Sequence, residues 1–113
     1  MAIEFDGREI EINANGYLEN HEDWSEALAK HMAAQDGLAL SDEAMAIIAY
    51  LRDEYFNNNQ TQPNTRTIVK AMAEEWGRSV DQKEVYDLFG GGDPSKVAGR
   101  LAGLPESRRK GGY

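Results

Sequence analysis

The chain has 113 residues, 41% of them hydrophobic: one domain with one modest core and no spare length for a second. Twelve Lys and Arg against twenty Asp and Glu give a net charge of −8, which disfavours a generic electrostatic nucleic-acid binder, because phosphate binding needs a basic surface. The absence of cysteine excludes disulfides, thiolate metal sites and any thiol nucleophile. No apolar run approaches the roughly 20 residues that span a bilayer, and the acidic opening MAIEFDGREI is unlike a secretory signal, so the expectation is a soluble, cytoplasmic domain.

The first dozen residues alternate. Ile3 and Phe5 share one face, Ile10 and Ile12 do the same, and Asp6-Gly7 lies between them. Asp-Gly between alternating runs predicts a β-hairpin, because both turn positions tolerate positive φ. The rest reads as helix. Asp23 with Glu26 forms a capping pair for the first helix, whose face would carry Trp24, Ala27, Leu28, His31 and Met32 before Gly37 stops it. Ser41 caps a second helix with the stripe Ala44, Ile47, Ile48, Leu51 and Tyr55; it should be the longest and most buried. It ends in Asn57-Asn58-Asn59-Gln60, and Pro63 fixes the loop. A third helix is predicted from about Thr65 to Trp76, with Gly77 after it. Ser79-x-x-Gln82 opens a short fourth helix carrying Val85, Leu88 and Phe89. Asp93-Pro94, an N-cap with proline at the first helical position, starts a fifth through Val97 and Leu101. Gly103 and Pro105 end that helix. The predicted fold is mainly α: a compact bundle of about five helices with an N-terminal hairpin, the domain at 1–105 and a mobile basic arm at 106–113.

Charge is uneven along the chain. Residues 94–113 hold Lys96, Arg100, Arg108, Arg109 and Lys110 against Glu106 alone, a balance of +4, so the rest carries −12. A basic, glycine-ended arm tipped by Tyr113 suits docking into an acidic or phosphate-lined groove, ordering as it binds; a solubilising tail is the plain alternative. Arg66 and Lys70, four apart on the third helix, mark a second candidate face for nucleic acid, with Arg78 and Lys83 nearby and Glu74, Glu75, Asp81 and Glu84 weakening the field. The third and fourth helices would then pack as a helix-turn-helix.

Other chemistry finds little support. His21 and His31 are the only histidines, and no metal-ligand spacing occurs; His31 reads as a packed side chain and His21 as a surface one. The carboxylate doublets Glu22-Asp23, Asp42-Glu43, Asp53-Glu54 and Glu74-Glu75 find a sufficient account in helix-terminus electrostatics, since several sit at N-termini. The glycines before Asp93-Pro94-Ser95-Lys96 do not match a phosphate loop, and Asp93 would repel phosphate where backbone N–H groups should receive it. No cofactor and no metal are expected.

Taken in order, the motifs resemble those of the DsrC/TusE/DsvC sulfur-relay family, which includes the gamma-subunit-like partner of dissimilatory sulfite reductase. The resemblance spans nearly the whole chain. It rests on the hairpin followed by Gly16-Tyr17-Leu18, on Trp24-Ser25-Glu26 with Ala29, and on Leu40-Ser41 and Arg52-Asp53-x-Tyr55. Pro63, Arg66, Val69-Lys70-Ala71-Met72, Tyr86-x-Leu88-Phe89 and Ala102-Gly103-Leu104-Pro105 complete it. The resemblance implies a small helical protein with a flexible arm. In active members an arm cysteine carries persulfide sulfur into a partner, either sulfite reductase or a tRNA-thiolation relay, and one branch has a second cysteine upstream. Family members are also linked to DNA through a helix-turn-helix-like region.

This chain departs at the decisive place. Aligned on Leu104-Pro105, the end cysteine falls at Lys110 and the upstream one at Gly99; aligned from the other end, Gly112 faces the end cysteine. None is a thiol, and persulfide chemistry needs a thiolate to accept and release sulfane sulfur. The expectation is a non-catalytic member that acts by binding a protein of a sulfur-relay or sulfite-reductase system, regulating it or occupying its docking surface. Arg108, Arg109, Lys110 and Tyr113 are the expected arm contacts. The alternative is a DNA-binding transcriptional regulator that uses Arg66 and Lys70.

Overall fold

A computed structural model describes residues 1–106. The hairpin pairs β1 (Ala2–Phe5) antiparallel with β2 (Arg8–Glu11), placing Ile3 opposite Ile10. Asp6 (φ 52°) and Gly7 (φ 75°) both lie in the left-handed region, the backbone demanded by a two-residue turn that matches strand twist. A two-stranded ribbon is marginal alone. Here Ile3 and Ile10 are buried in the common core, and Phe5 lies 5.2 Å from the His31 ring, centroid to centroid.

Among the described residues a 3-10 turn at His21–Asp23 is followed by five helices: α1 (Glu26–Gln35), α2 (Asp42–Asn57), α3 (Thr65–Trp76), α4 (Gln82–Leu88) and α5 (Pro94–Leu101). Each begins at a side-chain oxygen that accepts a free N–H of the first turn: Ser25 from Leu28, Ser41 from Ala44, Asn64 from Thr67, Asp81 from Glu84 and Asp93 from Ser95. Gly77 ends α3 at φ 65°, where a Cβ would be strained. Leu28, Met32, Ile47, Ile48, Leu51, Ile68, Met72, Val85 and Leu101 form the centre of the core.

The short helix α5 is the hub, touching each of the other four. Its buried positions are Pro94, Ala98, Gly99 and Leu101. Its first turn is tied to the start of α3, where the Thr65 hydroxyl donates to Asp93 Oδ1 at 2.6 Å.

Two predicted caps are corrected. Ser25, not Asp23, starts α1, so Trp24 lies ahead of the helix and not on its face; the buried face is Leu28, Ala29, Met32 and Ala33, with Ala27 exposed. Asp81, not Ser79, starts α4. In both cases the nearer oxygen is the one with a first-turn N–H in reach, and spacing alone does not distinguish two capping residues set two apart.

Candidate functional site at the root of the arm

Helix α5 ends in a left-handed glycine turn. Gly103 takes φ +74°; its N–H donates to Arg100 O and the Leu104 N–H to Gly99 O, both at 3.1 Å. These are the two hydrogen bonds of a Schellman ending, with apolar Leu104 folded back into the core at 1% exposure. The turn leaves the carbonyls of Leu101 and Ala102 without backbone partners, and two distant side chains supply them. Trp24 donates its indole N–H to Leu101 O at 2.7 Å, and Arg52 of α2 donates from Nη1 to Ala102 O at 2.6 Å.

Trp24 and Arg52 also hold one another. The guanidinium lies 3.9 Å from the Trp24 ring centroid and 4.9 Å from that of Phe56, within the range of cation–π attraction. Burial pushes the Arg52 guanidinium below its ordinary basicity, yet it stays charged, and a cation there complements the negative end of α5. Trp24 fills the space beside Gly103 so closely that a Cβ at 103 would lie 2.7 Å from Trp24 Cδ1. Glycine is therefore required twice, for its φ and for its missing side chain.

Beyond this inner clamp the hydrogen bonds lie at the surface. Gln62 Nε2 donates to Pro105 O at 3.2 Å, and Asn15 Nδ2 donates to both carboxylate oxygens of Glu106, at 3.0 and 2.8 Å. Arg100 reaches back from α5 to Asp36 and to Gly16 O. Nearby, Tyr17 is buried. Burial, and then the Glu106 charge, push its phenol above the ordinary value of 10.0, against the opposing pull of Arg100.

The residues singled out in the sequence fall in three places. Gly99 is buried on α5, where a Cβ would meet no atom within 4 Å; a side chain has room there. Arg66 and Lys70 are exposed on α3, and among the described residues neither pairs with a carboxylate. Their expected companions are neutralised, Arg78 by Glu84 and Lys83 by Asp87. Arg108, Arg109, Lys110, Gly112 and Tyr113 lie outside the described residues. Among the described residues no cluster of His, Asp and Glu is placed to hold a metal ion, and no helix is long and apolar enough to cross a membrane.

A family model described as DsrC like protein matches residues 4–109. The chain belongs to the DsrC-like family. Among relatives of this DsrC-like protein, a sulfurtransferase TusE of Yersinia pestis is 42% identical over 105 residues, covering 92% of this chain and 94% of that one. A sulfurtransferase TusE of Escherichia coli K12 is 41% identical over 103 residues, covering 90% and 93%. The fold matches the NMR structure of Allochromatium vinosum DsrC with a TM-score of 0.84 at 38% identity, covering 96% of each chain. It also matches the oxidized gamma-subunit of the dissimilatory sulfite reductase (DsrC) from Archaeoglobus fulgidus, with a TM-score of 0.85 at 29% identity, covering 96% of this chain and 98% of that one.

The clamp at the end of α5 in this DsrC-like protein draws on residues that the sequence shows separately. Trp24, Arg52 and Gly103 stand in the motifs that carry the family resemblance, but nothing in their spacing says that they meet. Asn15 and Gln62 gave no signal: a polar residue in a loop is unremarkable until its acceptor is known.

Proposed function

We propose that this DsrC-like protein works by docking on a protein partner of a sulfur-relay or sulfite-reductase system, without itself carrying sulfur. The supporting observation is an arm root built in full, with Trp24 and Arg52 closing the end of α5 around Gly103, in a chain that has no cysteine. A defined exit for the arm serves binding whether or not the arm ends in a thiol, whereas sulfane-sulfur transfer requires the thiolate. The basic residues Arg108, Arg109 and Lys110, with Tyr113, are the contacts we assign to the partner, and such contacts raise the association rate with an acidic surface. Non-covalent occupation of the docking surface would make the protein a competitor of thiol-bearing relatives, and hence a regulator of the relay.

The test is competition. A cysteine-bearing relative is bound to its purified partner, either dissimilatory sulfite reductase or the sulfurtransferase that loads it, and this chain is titrated in as full length and as residues 1–105. Displacement by the full chain, lost on truncation at an unchanged melting temperature, is the expected result. Equal displacement by both forms moves binding to the helical body, and no displacement by either overturns the proposal. Mass spectrometry after incubation with a persulfide donor should find no added sulfur.

A further inference from the structure

Asn15-Gly16 is the only Asn-Gly pair in the chain, and Asn15 is exposed. Asparagine before glycine is the sequence in which the backbone nitrogen most readily reaches the side-chain amide, because glycine offers no side chain to block the approach. The fold requires that glycine: Gly16 takes φ +85°, and a Cβ there would lie 3.2 Å from Arg100 Nη1. The amide at risk is also the one that holds Glu106, donating to both of its carboxylate oxygens.

We propose that Asn15 is a deamidation site whose conversion releases the outer root of the arm. The Gly16 nitrogen attacks Asn15 Cγ; a C–N bond forms, and ammonia leaves with the transferred proton. Water then opens the cyclic imide at either carbonyl, giving aspartate or isoaspartate at position 15. The only co-reactant is water, and no electrons change hands. The product has no N–H to donate and carries a negative charge beside Glu106, so the contact turns from attraction to repulsion. The change is local, since the inner clamp of Trp24 and Arg52 involves neither residue.

The turn sets the rate. The Gly16 N–H donates to Asn13 O at 3.0 Å, which ties up the attacking nitrogen. Asn13 Oδ1 accepts from the N–H groups of Asn15 and Tyr17, at 2.9 and 3.0 Å, which stiffens the same turn. Attack therefore waits on local opening of residues 13–17.

The experiment has two arms. In the first, the full chain is aged at mildly alkaline pH and the peptides are followed by mass spectrometry. Asn15 should convert ahead of Asn57 and Asn58, and several-fold faster in Asn13→Ala, which loosens the turn. An intact Asn15 when Asn57 and Asn58 have converted overturns the modification site. In the second, ¹⁵N relaxation reads the order of the residue-106 amide. Asn15→Asp should lower that order while the circular dichroism spectrum and melting temperature stay unchanged. Adding Glu106→Gln, which returns a donor to the pair, should restore it. An equally ordered amide in Asn15→Asp, or no recovery in the double variant, overturns the coupling. Any effect on partner docking rests on the function proposed above; neither of these readouts does, so the two ideas fail separately.

Discussion

The two halves of the segment at the end of α5, Leu101–Leu104 and Pro105–Glu106, use the same kind of bond to different ends. At Leu101–Leu104 the acceptors are buried helix-end carbonyls, the donors are an indole and a guanidinium stacked on each other, and Leu104 is in the core. At Pro105–Glu106 the donors are exposed amides, and water competes for every bond. Leaving a buried carbonyl unpaired costs about 1–3 kcal/mol, whereas an exposed one turns to solvent at almost no cost. The inner half therefore fixes the position of Leu104 against the core, and the outer half decides how firmly Pro105 and Glu106 are held.

The sharpest way to break this contrast is Gly103→Ala. The left-handed φ costs about 1–2 kcal/mol for an L-residue, and the collision with Trp24 adds about 1–3 kcal/mol. Chemical denaturation should show a loss of about 2–5 kcal/mol, with altered Trp24 fluorescence. Arg52→Met keeps much of the apolar stem but strands Ala102 O and removes the cation from the Trp24 ring; a loss of about 2 kcal/mol is expected by the same measurement. Gly99→Ala is the matched opposite of Gly103→Ala. It sits within helix α5 with open space at its Cβ, so alanine should stabilise by about 0.5–1 kcal/mol, and a thermal melt checks the sign.

Tyr17 gives a pH readout of the same region. Its phenol is raised in the folded state, by burial first and then by Glu106, so the folded protein favours the protonated form. The associated stability is present below the unfolded value of 10.0 and is lost as pH rises through the folded pKa. Melting temperature should fall in that alkaline range, and Glu106→Gln should bring the Tyr17 ultraviolet titration to lower pH. The smallest effect is expected for Gln62→Ala, within about 0.5 kcal/mol of wild type. A larger loss would show that the outer root shares the stability of the inner one.

The bundle was readable because its signals are local. Asp6-Gly7 states its turn, Ser41 and Asp93-Pro94 state their helix starts, and the stripe from Ala44 to Leu51 states which face is buried. The two capping errors, at Asp23 and Ser79, arose where neighbouring residues offer equivalent oxygens and only the path of the backbone selects one. The family, too, was legible, because its motifs keep their order along the chain.

What the sequence could determine by itself was the helical hairpin-and-bundle architecture and the absence of any thiol, since periodicity, caps and residue identity are properties of short segments. Only the tertiary structure decided that Trp24, Arg52 and Gly103 form one clamp and that Asn15 faces Glu106. Those contacts join residues up to 91 positions apart. Their partners are backbone carbonyls, which every residue possesses, and an exposed carboxylate, which many do. A donor's acceptor becomes visible only once the packing of α5 against the other four helices has brought the two ends of the chain together.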